Sequence, residues 1–362
     1  MNKYLPLAFV AILGISAFLL GLYAPGMLHT SIAENRTKPR AYQQKTDFRP
    51  ARFGNVEVGA FAPEALLLYG INGHSISALD GNTVYQKYRT AVRNVYGADL
   101  ADMNYLGVGL PDWNARYESF QRWLIRAGTY GAPTVALEPI GKSGFGVFAD
   151  SLEMRRLRDA FEVARKENII VWVRFASECN LRLSSYSVYN NAKRIARYRE
   201  SVRWFRRYMP SNVRLVFCPL INTVYLKQPE QLRTIRQMYI PGDYDRIGGT
   251  IYATFLRLKP AYDWYYKFMR KLDANTPFQI CELGGPTSKK KEMLAFIDKI
   301  AQGEWPAIQK VNLFAGSVNG RATSENGGFG FVIPGETRSY LFNKLNKSAI
   351  SARSRIENQS LH

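Results

Sequence analysis

Short apolar runs alternate with longer amphipathic segments along most of this chain. Eight of the runs are eight or nine residues long and rich in Val, Ile, Leu and Phe. Near-continuous apolar runs of this length are typical of parallel strands that are covered on both faces. The runs, each of which we predict to be a strand, are 65–72, 102–110, 132–140, 168–176, 213–221, 246–253, 277–284 and 308–316.

The segments between these runs repeat apolar residues at helical spacing. In segment 114–127, for example, Tyr117, Phe120 and Leu124 fall on one face. Eight strands that alternate with helices predict an α/β protein with a (β/α)8 TIM-barrel fold, and a doubly wound open sheet is the structural alternative. No G-x-G-x-x-G or G-K-[ST] loop follows a strand, so the pattern does not indicate a nucleotide site. Further helices are predicted over 151–167, 188–208, 260–272 and 288–302.

The N-terminal residues have a different pattern. Every position from Leu5 to Ala24 is apolar, Gly or Pro except Ser16 and Tyr23. A helix of about 20 residues spans about 30 Å, the thickness of the hydrocarbon core of a bilayer. Residues 1–26 are therefore predicted to be a transmembrane signal anchor or a signal peptide. The apolar stretch is longer than that of most signal peptides, which favours the anchor.

We accordingly expect an exported protein, either membrane-anchored and facing the periplasm or the cell exterior, or secreted. Arg and Lys residues between 36 and 52 oppose this orientation under the positive-inside rule, so a cytoplasmic domain stays an alternative. The polar segment 27–60 is predicted to be a linker or a strap along the domain surface. The barrel domain is predicted over 61–348, and residues 349–362 form a polar C-terminal tail.

Composition narrows the function classes. The 362 residues are 46% hydrophobic and 13% aromatic, which excludes an intrinsically disordered chain. Three Cys residues exclude a disulfide-built scaffold, and their spacing is not that of a structural zinc site. With 49 Lys and Arg against 29 Asp and Glu, the net charge is +20, which indicates an acidic partner such as an anionic polymer or a membrane surface. We expect no nucleic-acid partner, because no recognised binding motif is present.

Two glutamates follow predicted strands at the ends where a barrel forms its active site. Glu178 follows the fourth run together with Arg174 and Asn180, and Glu282 lies at the end of the seventh run. A pair of carboxylates on facing strand ends suits cleavage of a glycosidic bond, because one protonates the leaving oxygen while the other attacks the anomeric carbon or activates water. The alternative interpretation is that both carboxylates pair with arginines in a buried structural network.

Four more residues near predicted strand ends are candidates for substrate binding. Tyr252 ends the sixth run, and Glu138 lies near the end of the third. His74 follows the first run, where it would line the cleft of a barrel. Trp113 lies just beyond the second run; an aromatic ring there would stack on the face of a sugar, although packing within a loop fits it equally.

The three cysteines, Cys179, Cys218 and Cys281, each lie near a predicted strand end. Because two of them adjoin the candidate glutamates in sequence, alternation predicts that their side chains point toward the outer helices. We expect them to be small buried hydrophobic residues. A single disulfide among them is an alternative that the sequence leaves open for an exported domain.

Three motifs follow one another at strand ends of the predicted barrel. They are Arg174 to Asn180 (R-x-x-x-E-x-N), Pro241 to Asp245 followed by Tyr252, and Glu282-Leu283-Gly284. Together, and over about residues 65–345, they resemble the β-mannanase-like glycoside hydrolases of family 26. That family belongs to a large clan of retaining (β/α)8 glycosidases, and this chain looks like a divergent member.

The resemblance implies a role for each matching residue. Glu178 would be the general acid/base, Glu282 the nucleophile, and Tyr252 the residue that holds an oxygen of the nucleophile. Arg174 and Asn180 would orient the acid/base region or bind substrate. The implied activity is retaining endo-hydrolysis of a β-linked polysaccharide, with an acidic bacterial exopolysaccharide as one candidate substrate and with no metal or organic cofactor.

Two positions differ from the family pattern. Ser177 stands where the family usually has His before the acid/base, and residues 181–184 (L-R-L-S) stand where it has an aromatic sugar platform. These differences motivate an alternative function, a catalytically inactive carbohydrate-binding barrel in polysaccharide synthesis or export. The net charge alone motivates a third, a basic scaffold at the membrane. The expected partners are a polysaccharide, the membrane through the N-terminal helix, and the machinery of polysaccharide synthesis or export.

Overall fold

The structure, a computed structural model, describes residues 52–53, 55–61, 101–102, 108–109, 113–129, 131–138, 152–182, 186–221, 229–253, 257–285 and 289–314. The strands in these residues are β1 (Arg52–Phe53), β2 (Val56–Phe61), β3 (Ala101–Asp102), β4 (Val108–Gly109), β5 (Thr134–Glu138), β6 (Val171–Phe175), β7 (Val213–Phe217), β8 (Arg246–Ile247), β9 (Thr250–Tyr252), β10 (Phe278–Gly284) and β11 (Ile308–Phe314). The helices are α1 (Trp113–Gly128), α2 (Leu152–Lys166), α3 (Ala192–Tyr208), α4 (Pro229–Met238), α5 (Leu258–Leu272) and α6 (Lys290–Ala301).

The strands form one sheet in the order β1-β2-β11-β10-β8-β7-β6-β5-β4. All pairs among β2 to β11 are parallel, and β1 is antiparallel to β2. Strands β8 and β9 share one position beside β10. Strand β3 pairs with β2, and β4 pairs with β5. Because β3 and β4 both come from the short stretch 101–109, they bring β2 and β5, at opposite ends of the strand order, toward each other. The result is a curled parallel sheet with eight strand positions, consistent with a (β/α)8 barrel.

Helices cover the outer face of the sheet, and the main apolar core lies between the two layers. The ring of Phe175 in β6, for example, stacks on Tyr198 of α3 at 5.9 Å between ring centres and contacts Phe205 at 5.0 Å. The inner face has a separate, smaller apolar cluster of Val216, Cys218 and Cys281 against Trp172. The inner face also carries a set of polar and charged residues: Arg174, Arg246, Gln279, Glu282, Lys310 and Asn312.

Most of the predicted elements are present, with shifts of a few residues at their ends. Strands β5, β6, β7, β10 and β11 fall inside the predicted runs, and the sixth run divides into β8 and β9. The predicted run 65–72 lies outside the described residues. The first strand position is taken by β2, within the segment 27–60 that its polar composition predicted to be a linker. There Val56 and Val58 alternate with polar or small residues and are buried, which is the pattern of a strand whose two faces differ.

Helix α4 was not predicted, although Ile235 and Met238 are buried at helical spacing and Pro229 occupies its first position. No helix in the described ranges has both the length and the apolar character that a bilayer span requires. The predicted signal anchor (1–26), most of the predicted linker and the C-terminal tail (349–362) lie outside the described residues.

Candidate active site

Glu282 lies near the C-terminal end of β10 and points to the inner face of the sheet. One carboxylate oxygen accepts a hydrogen bond from Nη2 of Arg174 at 2.5 Å, and the other accepts one from the hydroxyl of Tyr252. The side chain of Arg174 is 1% exposed and that of Glu282 is 6% exposed. Arginine bears only donors, so this buried contact fixes the carboxylate through a charge-assisted hydrogen bond.

Arg174 is fixed by three acceptors from strand β10 and the turn after β6. Besides Glu282, its Nη1 donates to the backbone oxygen of Cys281 at 3.4 Å, and its Nε donates to Oγ of Ser177 at 3.2 Å. Ser177, where the family pattern has His, therefore supports the arginine that binds the candidate nucleophile. The guanidinium plane of Arg174 is set by these contacts, so Glu282 is held in one orientation.

Glu178 lies in the turn that follows β6. Its backbone has a φ of 59°, in the left-handed region, and its N–H donates to the oxygen of Cys218 at 2.8 Å. The hydroxyl of Thr250 donates to its Oε1. Thr250 is the register partner of Glu282 across β9 and β10, so the residue that bonds Glu178 lies beside Glu282 in the sheet. A left-handed non-glycine residue costs about 1–3 kcal/mol and is common at functional sites.

Both glutamates affect the pKa of the Tyr252 hydroxyl. Burial raises the pKa of Tyr252 well above its usual value, and the negative charges of Glu282 and Glu178 raise it further. The phenol therefore stays protonated and donates to Glu282. The effect also indicates that both carboxylates lie within electrostatic range of the same hydroxyl.

A β-bulge gives Glu282 its direction. Ile280 pairs with Val311 and Leu283 pairs with Leu313, so two residues of β10 oppose one residue of β11. With regular alternation, neighbouring residues would point to opposite faces. The bulge instead lets Cys281 join the inner apolar cluster while Glu282, the next residue, contacts Arg174.

The predicted direction, which was made for the two cysteines next to the glutamates, was right for Cys179 and wrong for Cys281. Cys179 packs in the helix-facing core, but Cys218 and Cys281 lie on the inner face. All three are buried and free. Although burial acts to raise it, the contact with the Cys218 thiol and the charge of Arg174 lower the pKa of Cys281 to about 7.

The two inner thiols approach each other across Gly248, which lies between the strands that carry them. A Cβ on Gly248 would lie 2.3 Å from the sulfur of Cys281 and 2.8 Å from the oxygen of Phe217. Two strand spacings amount to roughly 9–10 Å between Cα atoms, beyond the range of about 4.4–6.8 Å that a disulfide requires. The contact between Cys218 and Cys281 is therefore between thiols, and a disulfide between these two residues does not fit the spacing of their strands.

The amide of Asn180 is bonded within the protein, which favours the first of its two predicted roles, orienting the acid/base region. Its Oδ1 accepts from the N–H of Leu220 at 2.9 Å, and its Nδ2 donates to the oxygen of Leu220 at 3.2 Å and to Gln231 at 3.4 Å. The amide thus ties the turn after β6 to the end of β7. Because its donors and acceptor are occupied by the protein, Asn180 supports the turn that carries Glu178 rather than presenting its amide to a substrate.

The remaining candidates cannot be placed in the site. Glu138 ends β5 and Trp113 begins α1, but their side chains lie outside what the structure describes. His74 lies outside the described residues. Sequence reasoning missed Thr250, although it lies two positions before Tyr252 in the same run and alternation puts both on one face.

No family model matches this chain, and no curated protein matches it. Among solved structures, a β-mannanase from a symbiotic protist of the termite Reticulitermes speratus is 14% identical with a TM-score of 0.48, covering 75% of this chain and 83% of that chain. The GH26 domain of an endo-β-mannanase/endo-β-glucanase from Prevotella bryantii is 10% identical with a TM-score of 0.46, covering 80% and 89%. Family 26 glycoside hydrolases are thus among the solved structures to which this chain is similar.

Proposed function

We propose that this protein is a glycoside hydrolase that cleaves a β-linked polysaccharide internally, by a retaining double displacement. The observation that carries the proposal is the arrangement of the two glutamates. Glu282 is bonded to Arg174 and Tyr252, and Glu178 is bonded to Thr250, the register partner of Glu282. Retaining glycosidases use two carboxyl groups that flank the scissile bond.

In the first half-reaction the carboxylate of Glu282 attacks the anomeric carbon, and the bond to the leaving oxygen breaks as Glu178 gives that oxygen a proton. Arg174 holds Glu282 in one orientation before the attack, and Tyr252 donates to its second oxygen. The product of this step is a glycosyl ester of Glu282.

In the second half-reaction Glu178, now a carboxylate, takes a proton from water, which attacks the same carbon and releases Glu282. The hydroxyl of Thr250 suits both states of Glu178, because a hydroxyl donates to a carboxylate and accepts from a carboxylic acid. Glu178 thus carries both proton transfers of the cycle, and Glu282 carries the covalent step.

The substrate and the location of the enzyme belong to the same proposal. The net charge of +20 favours an acidic polymer, for which an exopolysaccharide is our first candidate. The apolar N-terminal stretch favours an exported domain that is anchored to the membrane or secreted, in a position to act on a polysaccharide as it is made or exported. Mannans, β-glucans and xylans are the neutral alternatives.

The decisive experiment compares wild type with Glu282→Gln on a panel of mannans, β-glucans, xylans and acidic exopolysaccharides, with products sized by mass spectrometry. We expect wild-type cleavage with retention of the anomeric configuration, measured by NMR of fresh products, and a loss of at least about 10³-fold in kcat for the variant. Glu118→Gln is the control, because Glu118 is exposed on α1 and we expect it to leave kcat unchanged.

An inactive carbohydrate-binding protein is the second candidate, favoured by the serine at position 177. It predicts that wild type and Glu282→Gln bind the same oligosaccharides and that neither releases products. A turnover that is unaffected by Glu282→Gln would exclude this residue as the nucleophile.

A further inference from the structure

One polar side chain on the inner face has no role in the reaction as described so far. Asn312 lies in β11 and is fully buried. Neither its Oδ1 nor its Nδ2 has a hydrogen-bond partner among the described residues. Buried amides almost always have partners, because an unpartnered one loses its hydrogen bonds to water without replacement. A native residue that departs from this rule calls for a functional explanation.

The direction of Asn312 follows from its neighbours in the strand. Val311 and Leu313 belong to the helix-facing core. Lys310, two residues before Asn312, forms an ion pair with Glu57 of β2 at 2.9 Å. Alternate residues of a strand point to opposite faces, so the amide of Asn312 lies on the inner face of the sheet.

The strands on either side of Asn312 define what its amide faces. On one side its register partner is Gly59 of β2, which has no side chain to bond the amide. On the other side, the two residues of β10 that oppose Asn312 are Cys281 and Glu282, the members of the bulge. Neighbouring strands are about 4.8 Å apart, so Asn312 lies next to the candidate nucleophile at the same depth in the sheet.

We infer that Asn312 is a substrate-binding residue, whose amide hydrogen-bonds a hydroxyl of the sugar unit that Glu282 attacks. The inference rests on the proposed function. An amide offers both a donor and an acceptor, and a sugar hydroxyl is likewise both. A carboxylate ligand would use only the donor, and an ammonium ligand only the acceptor. The chemical match is therefore to a neutral hydroxyl at the cleavage point.

This role makes Asn312 a determinant of specificity. A site built to bond a hydroxyl discriminates strongly against a sugar that lacks it, because the buried amide would then stay unpaired. Since the amide has no partner in the part of the chain that the structure describes, an apolar residue of similar volume at this position is expected to increase stability while it weakens binding.

The test compares Glu282→Gln with the double variant Glu282→Gln/Asn312→Leu. Binding of β-1,4-mannohexaose, cellohexaose, β-1,4-xylohexaose and laminarihexaose is measured by calorimetry, and the Tm is measured without ligand. We expect the best-bound hexasaccharide to lose about 10- to 100-fold in affinity in the double variant, with a Tm equal to or above that of Glu282→Gln. Asn312→Ser, which keeps one hydroxyl, is expected to lose less affinity and serves if the leucine disturbs folding.

Asn212 provides a matched control. It is also a fully buried asparagine, but its Nδ2 donates to the backbone oxygens of Phe161 at 3.1 Å and of Ile169 at 2.8 Å, away from the site. Asn212→Ala is expected to lower the Tm and to leave the affinity for the hexasaccharide unchanged. The two variants therefore separate loss of a binding group from loss of a structural one.

Two results would overturn the inference. One is that Glu282→Gln/Asn312→Leu binds the hexasaccharide with an affinity within twofold of that of Glu282→Gln alone. The other is a clearly lower Tm for both Asn312→Leu and Asn312→Ser, which would assign a structural role to the amide. The proposed function fails if Glu282→Gln binds no hexasaccharide and wild type cleaves no polysaccharide of the panel. The Tm comparison then still tests Asn312, since a loss of stability in both Asn312→Leu and Asn312→Ser shows that its amide has a structural role.

Discussion

Glu178 and Glu282 carry the same carboxyl group in different surroundings. Glu282 is buried and bonded to an arginine, which can only donate. Glu178 is partly exposed and bonded to the hydroxyl of Thr250, which can donate or accept. These contacts suit a nucleophile that is held in one orientation and an acid/base that both donates and accepts a proton. The assignment of roles thus agrees between the local chemistry and the family resemblance of the motifs.

Thr250→Val removes the hydroxyl that binds Glu178 and keeps the shape of the side chain. We expect kcat/KM to fall about 10- to 100-fold on natural polysaccharides, whose leaving groups need a proton, because Glu178 loses its orientation. On aryl glycosides with good leaving groups, the rate of the first step should change little. Steady-state and burst kinetics on the two substrate classes measure this difference.

Thr134→Val is the control for that variant. Thr134 is buried in β5, and its Oγ1 has no hydrogen-bond partner among the described residues. Its replacement is expected to leave both substrate classes unaffected and to maintain or raise stability. An equal loss on both substrate classes for Thr250→Val would contradict the role of Thr250 in positioning Glu178.

At the scale of elements, the site depends on two irregularities in the parallel sheet. The bulge in β10 turns Cys281 and Glu282 to the same face. The sixth strand position is divided by Gly248 and Gly249 into β8 and β9, and the absence of a side chain at Gly248 makes room for the sulfur of Cys281. The hydroxyl of Tyr265 in α5 also donates to the oxygen of Gly248, which fixes the break against the helix layer.

Gly248→Ala is expected to destabilise the protein by about 1–3 kcal/mol, because the new methyl group overlaps Cys281 and its neighbours. Combining it with Cys281→Ala should restore part of the loss, which gives a coupling energy of at least about 0.5 kcal/mol in a double-mutant cycle. Urea unfolding of the four proteins measures both quantities.

Gly303→Ala is the matched control for the coupling. Gly303 has a φ of +77°, and no atom lies within 4 Å of the place that an alanine methyl group would take, so alanine there costs backbone strain alone. We expect its effect to be additive with Cys281→Ala. A purely additive result for Gly248→Ala and Cys281→Ala would mean that the sulfur does not occupy the space beside the glycine.

At the scale of the whole molecule, β2 and β11 bring the first and last described strand positions together. The ion pair between Glu57 and Lys310 lies at this junction, and the side chain of Lys310 is only 2% exposed. Burial alone would raise the pKa of Glu57, but the charges of Lys310, Arg246 and Arg52 hold it below its usual value. The folded protein therefore favours the carboxylate more strongly than the unfolded chain does.

The pair makes stability depend on pH in a defined direction. Its contribution is complete above the unfolded pKa of Glu57, about 4.3, and is lost as the pH falls through the lower folded value. We expect Glu57→Gln to lower the free energy of unfolding by about 2 kcal/mol at pH 7, since Lys310 loses its partner, and by less near pH 3. Urea unfolding at both pH values tests this, with Glu118→Gln as an exposed control. An equal loss of unfolding free energy for Glu57→Gln at the two pH values would contradict this prediction.

Most of the strands and the positions of the two candidate glutamates follow from the sequence. The near-continuous apolar runs predict parallel strands because a strand covered on both faces needs apolar residues in succession. The places of Glu178 and Glu282 at strand ends follow from the same pattern. The strand at Val56 was missed because Glu57 and Gly59 interrupt its apolar residues, so it does not form a continuous apolar run.

What the tertiary structure decided is which groups meet. Arg174 and Glu282 are 108 residues apart, and no local pattern predicts that they pair or that the hydroxyl of Thr250 bonds Glu178. The bulge that aims Glu282 inward exists only in the register between β10 and β11. Whether the amide of Asn312 finds a partner among the described residues likewise depends on its neighbouring strands. Sequence determines elements because hydrophobic periodicity is local, whereas the direction and bonding of a buried polar group are set by residues that only folding brings together.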